Sequence, residues 1–186
     1  MDIKGTRTAE NLRKALAGES IARNKYTYFA MAARASGDEE AATAFEQMAK
    51  NEMMHAKFWF ELLYGKPTDT KESLTQAAMG EYSEWHDMYP SFAAQAREEG
   101  LEDIAVMFEK VAAIERNHEG RFMTLLAKLA QTSSEQAHAP TRAEPSPRQK
   151  KTGYRCQFCG AVFEERPDLC DVCQAIGAFE LVEYYE

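Results

Sequence analysis

Glu52-Met53-Met54-His55 and Glu115-Arg116-Asn117-His118 are two copies of one pattern, Glu-x-x-His, set in stretches rich in Ala, Glu, Leu, Met and Lys. Around the first copy apolar residues return every three or four positions, as at Phe45, Met48 and Ala49, which is the period of a helix with one buried face. Residues three apart share a helix face, so each pair presents a carboxylate and an imidazole to the same place. One such pair on a helix surface carries little information. Two in register point to a repeat.

Laying the first half of the helical region on the second bears this out. Tyr26 falls on Tyr89, Phe29 on Phe92, Arg34 on Arg97, Gly37 on Gly100, Phe45 on Phe108, Glu52 on Glu115, His55 on His118 and Leu62 on Leu125, while Glu19 falls on Glu81 with a slip of one residue. Breakers at Gly37 with Asp38, at Gly65 to Thr70 with Pro67, and at Gly100 divide residues 8–131 into four helical segments. Ser73 and Gln76 fit a capping box that opens the third, and Pro90 inside the third should bend it. Two copies of one helical hairpin then build a four-helix bundle with a pseudo-twofold between them.

The two remaining helices each add a carboxylate, Glu19 and Glu81, and Glu84 adds another on the face of Glu81 with no counterpart in the first half. A Glu from each of two helices plus Glu-x-x-His from each of the other two is the di-iron or di-manganese pattern of ferritin-like bundles. Five carboxylates and two imidazoles around one pair of ions favour hard ferric iron. His86 and His138 lack this context.

After Gln131 the composition changes to Ser, Gln, Ala and Pro, so residues 132–152 read as a flexible linker, ending in the basic patch Arg148, Lys150 and Lys151, a solvated surface. Residues 153–186 hold all four cysteines, as Cys156-x-x-Cys159 and Cys170-x-x-Cys173, a spacing that suits a zinc ribbon or a rubredoxin-like knuckle with short β-strands. So small a module needs its metal to fold.

A formal net charge of −8 argues against nucleic acid or an anionic membrane as partner. No apolar run approaches the roughly 18 residues of a membrane span, and Met1-Asp2-Ile3-Lys4-Gly5 lacks the layout of a signal peptide, so a cytoplasmic location is expected.

Glu19, Glu52-x-x-His55, Glu81-x-x-Glu84, Glu115-x-x-His118 and the trailing pair of Cys-x-x-Cys motifs together resemble the rubrerythrin family, as do Asp87-Met-Tyr-Pro90 and Arg97-Glu-Glu-Gly100. The resemblance spans essentially the whole chain and implies an all-α ferritin-like four-helix bundle over residues 1–131, followed by a rubredoxin-like domain. It implies that Glu52 and Glu115 bridge two irons, that Glu81 and His118 serve one and Glu19 the other, and that His55 and Glu84 exchange at the second iron with its oxidation state. Tyr26 and Tyr89, about two turns beyond Glu19 and Glu81, are candidate donors to those carboxylates. The aromatic setting of Tyr154, Phe158, Phe163 and Phe179 and the glycine at 160 resemble rubredoxin, which implies one iron on Cys156, Cys159, Cys170 and Cys173, although zinc is a possible occupant in a preparation. Gln174 departs from the pattern, since rubredoxins usually have glycine there.

The activity implied is that of a peroxidase reducing hydrogen peroxide to water in oxidative-stress defence, with Glu52, His55, Glu84 and Glu115 at the reacting centre. Electrons would pass through the four-cysteine iron from a nicotinamide cofactor by way of a separate reductase or rubredoxin. The alternative is a ferritin-like iron-storage or ferroxidase protein, for which neither Glu84 nor the cysteine module is needed. Finally, the segment from Gly65 to Glu72 spans at most roughly 30 Å, short of a helix of about 26 residues, roughly 39 Å long. A homodimer that swaps its two hairpins is therefore expected, with an up-down-up-down monomer as the alternative.

Overall fold

The computed structural model describes residues 3–134 and 150–185. The chain divides into two compact units, Met1–Thr68 and Asp69–Glu186.

The first unit is a helical hairpin of α1 (Arg7–Ala35) and α2 (Glu39–Tyr64). Thr6 caps α1 by accepting from the Ala9 N–H at 3.1 Å, and Asp38 caps α2 by accepting from Ala41 at 2.9 Å. The chain reverses through Gly37 at φ +83°, where Asp38 N–H closes back on the Ala33 carbonyl at 2.9 Å. Arg34 spans the corner, reaching Glu39 at 3.3 Å and Glu46 at 2.8 Å. The buried residues of this hairpin are small: Ala9, Ala30, Ala42 and Ala49.

The second unit repeats the hairpin with one interruption. Its first arm is α3 (Thr70–Ser83), a π turn (Glu84–Met88) and α4 (Tyr89–Glu98); its second arm is α5 (Glu102–Ser134). Arg97 clamps this corner as Arg34 does the other, to Glu102 at 3.2 Å and to Glu109 at 2.7 and 3.0 Å. The interior repeats as well. Ala93 and Ala105 take the places of Ala30 and Ala42. The rings of Tyr89, Phe92 and Phe108 cluster with centroids 5.6–6.4 Å apart, as Tyr26, Phe29 and Phe45 do at 5.5–6.4 Å.

One local expectation needs correcting. α3 is opened by Asp69, which accepts from the Glu72 N–H at 2.6 Å, and not by Ser73, whose hydroxyl lies inside the helix donating to the Asp69 carbonyl at 2.8 Å. An Asp carboxylate outcompetes a hydroxyl for exposed N–H groups, and it also favours the positive end of the helix dipole. The third helix is disturbed just ahead of Pro90: the Tyr89 N–H reaches back to the Glu84 carbonyl, the longer closure of a π turn. Proline has no N–H to offer and its ring crowds the carbonyl four residues back, so the wider turn forms on its N-terminal side.

In the same unit, β1 (Lys150–Cys156), β2 (Val162–Phe163) and β3 (Phe179–Tyr185) form an antiparallel sheet in the order β2-β1-β3. Regular structure thus reaches Ser134 on one side of the expected linker and resumes at Lys150 on the other. The stretch between, with His138 and Arg148, lies outside the described residues.

Candidate metal centres

Each hairpin gathers its own set of ligands. In the first, His55 Nδ1 lies 2.9 Å from Glu52 Oε2 and 3.7 Å from Glu19 Oε2. In the second, His118 Nδ1 lies 2.6 Å from Glu115 Oε2 and 3.8 Å from Glu81 Oε2. The two sets match arm for arm, as the repeat requires. Donor atoms that share one ion at about 2.1 Å can be at most about 4.2 Å apart, and the His–Glu distances of each set meet that limit. Carboxylate oxygen with imidazole nitrogen is a donor set that suits iron.

The electrostatics show what a cation would relieve. Burial, then the neighbouring Glu115 and Glu84 carboxylates, raise Glu81 to about 7. Glu52 is held below its ordinary value by its hydrogen bonds with Glu19 first and His55 second. Burial raises the Tyr89 phenol too, followed by the charges of Glu84, Glu115 and Glu81, which places this tyrosine beside the carboxylates. Tyr26, like Tyr89, also makes ring contacts to the phenylalanines of its hairpin, Phe29 and Phe45.

Glu84 opens the π turn. It stands outside the tight Glu81, Glu115 and His118 group, yet close enough to act on Glu81 and Tyr89 through its charge. The slip in the repeat has its explanation here: Glu81 and Tyr89 are one residue farther apart than Glu19 and Tyr26. A single π turn absorbs one extra residue without throwing the flanking helices out of phase. His86 points elsewhere, meeting Asp87 Oδ1 at 2.8 Å and stacking on Tyr82. Trp85 donates to Glu119 Oε2 at 2.8 Å beneath the Arg116 guanidinium, an anchor for the turn that spacing gave no hint of.

The four cysteines converge, with Cys156 and Cys173 sulfurs 3.6 Å apart and Cys159 and Cys170 sulfurs also 3.6 Å apart. Sulfurs bound at about 2.3 Å to the centre of a tetrahedron are about 3.8 Å apart, so one metal fits and a disulfide framework does not. All four are free thiols. Burial opposes ionisation of Cys156, but the backbone N–H groups of Cys159 and Phe158 outweigh it and bring the thiol to about 7. Burial raises Cys159 and Cys173. The two knuckles are related by their own pseudo-twofold. Gly160 N–H donates to the Cys156 carbonyl at 3.0 Å, and Gln174 N–H to the Cys170 carbonyl at 2.9 Å. Gly160 has φ +81°, and Gln174, in the matching turn, is held at φ +61° against the preference of a residue with a Cβ.

This module packs on α5. Ile114 joins the core of Cys156, Ala161 and Cys170, and Lys110 pairs with Asp171 at 2.8 Å. Gly160 meets His118 so closely that a Cβ added there would stand 2.6 Å from His118 Nε2. His118 therefore faces the carboxylates with one ring nitrogen and the cysteine knuckle with the other.

The family profile described as Rubrerythrin matches residues 10–126, and matches again over residues 72–155. This chain belongs to the rubrerythrin family. It is 37% identical to Rubrerythrin-1 of Clostridium acetobutylicum over 92% of this chain and 91% of that one. It is also 37% identical to a rubrerythrin of Porphyromonas gingivalis, over 92% and 87%, and 36% identical to that of Nitratidesulfovibrio vulgaris, over 92% and 91%. As a rubrerythrin it combines the ferritin-like helical fold with a rubredoxin-like knuckle. Its carboxylate and histidine groups and its four-cysteine cluster are the places of the family's iron cofactors, and it is a di-iron oxidoreductase of oxidative-stress type. Among the described residues no helix is long and apolar enough to cross a membrane.

Proposed function

We propose that this rubrerythrin is a non-haem di-iron peroxidase that reduces hydrogen peroxide to water and is recharged through its four-cysteine iron. The observation that carries the reading is the contact of Gly160 with His118 Nε2, which joins an electron-transfer site to a substrate-reducing one within one packed unit. A storage protein has no use for such a junction. When bound, the iron pair supplies the two electrons that peroxide consumes, and the four-cysteine iron returns them singly.

The chain's residues do the rest. Iron would be held by Glu19, Glu52 and His55 in the first unit and by Glu81, Glu115 and His118, with Glu84 beside them, in the second. His55 would offer a neutral ligand and Glu84 an anionic one, since a carboxylate suits the ferric ion and an imidazole the ferrous. Reducing peroxide to two waters takes up two protons, which Glu52 and Glu115 would pass. The Tyr89 phenol, within the field of three carboxylates, is a donor that steadies them. Electrons reach the cysteine module from a separate reductase that draws on a nicotinamide cofactor. The protein works as a cytoplasmic homodimer.

The test is rapid mixing of fully reduced, iron-loaded protein with peroxide and, separately, with oxygen. Oxidation should be much faster with peroxide, at one equivalent per iron pair, with no ferric mineral. Faster reaction with oxygen and accumulation of mineral would instead establish the storage reading.

A further inference from the structure

The function proposed above needs Glu84 in one place. We propose that Trp85, held by Glu119 and Arg116 of α5, is a positioning residue that fixes Glu84 beside the Glu81, Glu115 and His118 group of the second unit. This rests on the reading of Glu84 as an iron ligand, and it names what keeps that carboxylate there.

Glu84 opens the π turn, which holds the one residue that sets the second half apart from the first. A bulge of this kind joins two helices that stay in phase, so the helices themselves do not choose which residue stands in it. Sliding it past Glu84 by one position turns that side chain by about 100° around the helix axis. Its charge would then leave Glu81 and Tyr89, on which it now acts. Pro90 limits movement toward the C-terminus, because its ring and its missing N–H exclude regular closure there. The other side needs its own stop.

Trp85 provides it. Its Nε1 donates to Glu119 Oε2 at 2.8 Å, a half-buried bond to a carboxylate. The ring is gripped as well, with the Arg116 guanidinium 5.5 Å from its centroid on the α5 side and the Tyr82 ring 5.3 Å away, edge-on, about one turn back. Among the described residues no other hydrogen bond or ion pair runs from the turn to α5. The ends of this anchor adjoin the ligands: Trp85 follows Glu84, Glu119 follows His118 and Arg116 follows Glu115. One hydrogen bond therefore sets two ligand-bearing backbones against each other.

The first hairpin shows what accompanies the anchor. There α1 runs without a π turn and has no acid at the place of Glu84. It lacks the anchor too, since Arg23, Met53 and Ala56 stand where the second hairpin has Trp85, Arg116 and Glu119. Extra acid and anchor occur together and are missing together.

Redox titration of the iron-loaded, full-length protein tests this without peroxide, with the iron pair followed by electron paramagnetic resonance apart from the red four-cysteine iron. Because a carboxylate suits the ferric ion, Glu84→Gln should raise the midpoint potential of the pair. Trp85→Phe keeps a ring but removes the donor, and it should raise the potential by a large part of the same shift. In the Glu84→Gln background it should add nothing, since two residues that act through one contact are not additive. Glu119→Leu should repeat the effect of Trp85→Phe, and Glu119→Gln, which keeps an acceptor oxygen, should restore most of the wild-type potential. An anchor that served stability alone would lower the melting temperature of Trp85→Phe and leave the potential where it was, which would overturn the proposal. Equal shifts with and without Glu84 would overturn it too, as would a Glu119→Gln protein shifted as far as Glu119→Leu. If Trp85→Phe fails to give a helical, iron-loaded protein, the two Glu119 variants carry the test by themselves. A Glu84→Gln protein with the wild-type potential would remove Glu84 as a ligand and this proposal with it, whereas the peroxidase reading fails only on the comparison of peroxide with oxygen.

Discussion

Gly160→Ala isolates the contact between the cysteine module and the helical hairpin. The substitution has two costs. At φ +81° a Cβ is worth roughly 1–2 kcal/mol of strain in the left-handed region. The new methyl would also lie 2.6 Å from His118 Nε2. The ring has no room to yield, because its Nδ1 is held 2.6 Å from Glu115. Ordinary contact therefore requires the module to back away by about 1 Å, and a misplacement of that size can lower the rate of a positioned reaction by up to about a hundredfold. Gly177→Ala is the control, since Gly177 has φ +70° and open space where its Cβ would stand. Both variants should lose roughly 1–2 kcal/mol in stability of the module, keep four-cysteine iron and keep the iron pair. In stopped-flow mixing with peroxide, the reduced four-cysteine iron should turn red at the wild-type rate in Gly177→Ala and on the order of tenfold or more slowly in Gly160→Ala. Equal rates in the two variants would refute the reasoning that electrons enter at His118.

Gln174→Gly should stabilise the knuckle by about 1 kcal/mol, seen as a higher thermal midpoint for loss of the red colour, because the native glutamine occupies the left-handed region at φ +61°. In metal-free protein, Glu81 is raised from 4.5 to about 7. The folded state then binds more protons than the unfolded state across that window, so stability falls as pH rises from about 4.5 to about 7, and Glu81→Gln should flatten the decline in melting temperature measured across it. Arg97→Ala removes only exposed ion pairs and should leave the midpoint of chemical denaturation nearly unchanged. Cys170→Ser should abolish the red chromophore while leaving two irons per chain by metal analysis.

The candidate ligands were legible because they repeat. Glu-x-x-His twice, each with a Glu on the neighbouring helix, survives any uncertainty about where the helices end, and the structure groups those residues within each hairpin. The corner arginines were visible as a repeated pair, but their purpose was not, since a salt bridge to Glu46 or Glu109 depends on how α1 and α2, or α4 and α5, fold back on each other. The one-residue slip between Glu19 and Glu81 was the signature of the π turn, and Pro90 marked its place, yet a slip reads equally well as a loose alignment until the Tyr89 N–H is found on the Glu84 carbonyl. The capping error at Ser73 came from preferring a two-residue motif to a single Asp that lay nearer the true start. The seat of the cysteine module on Ile114 and His118 had no local signal at all, because the packing of residues far apart in the chain leaves no period to read.

A duplicated hairpin starts with two equal ends, and equal ends treat two ions alike. The π turn breaks that parity with one added residue, stored as a local swelling between Ser83 and Tyr89 while the helices on either side keep their phase. Glu84, at its start, is an acid with no matching acid in the other half, where Ala22 stands three residues after Glu19. The asymmetry between the two halves is thus written in this chain as a difference in length, where the residues around it still match.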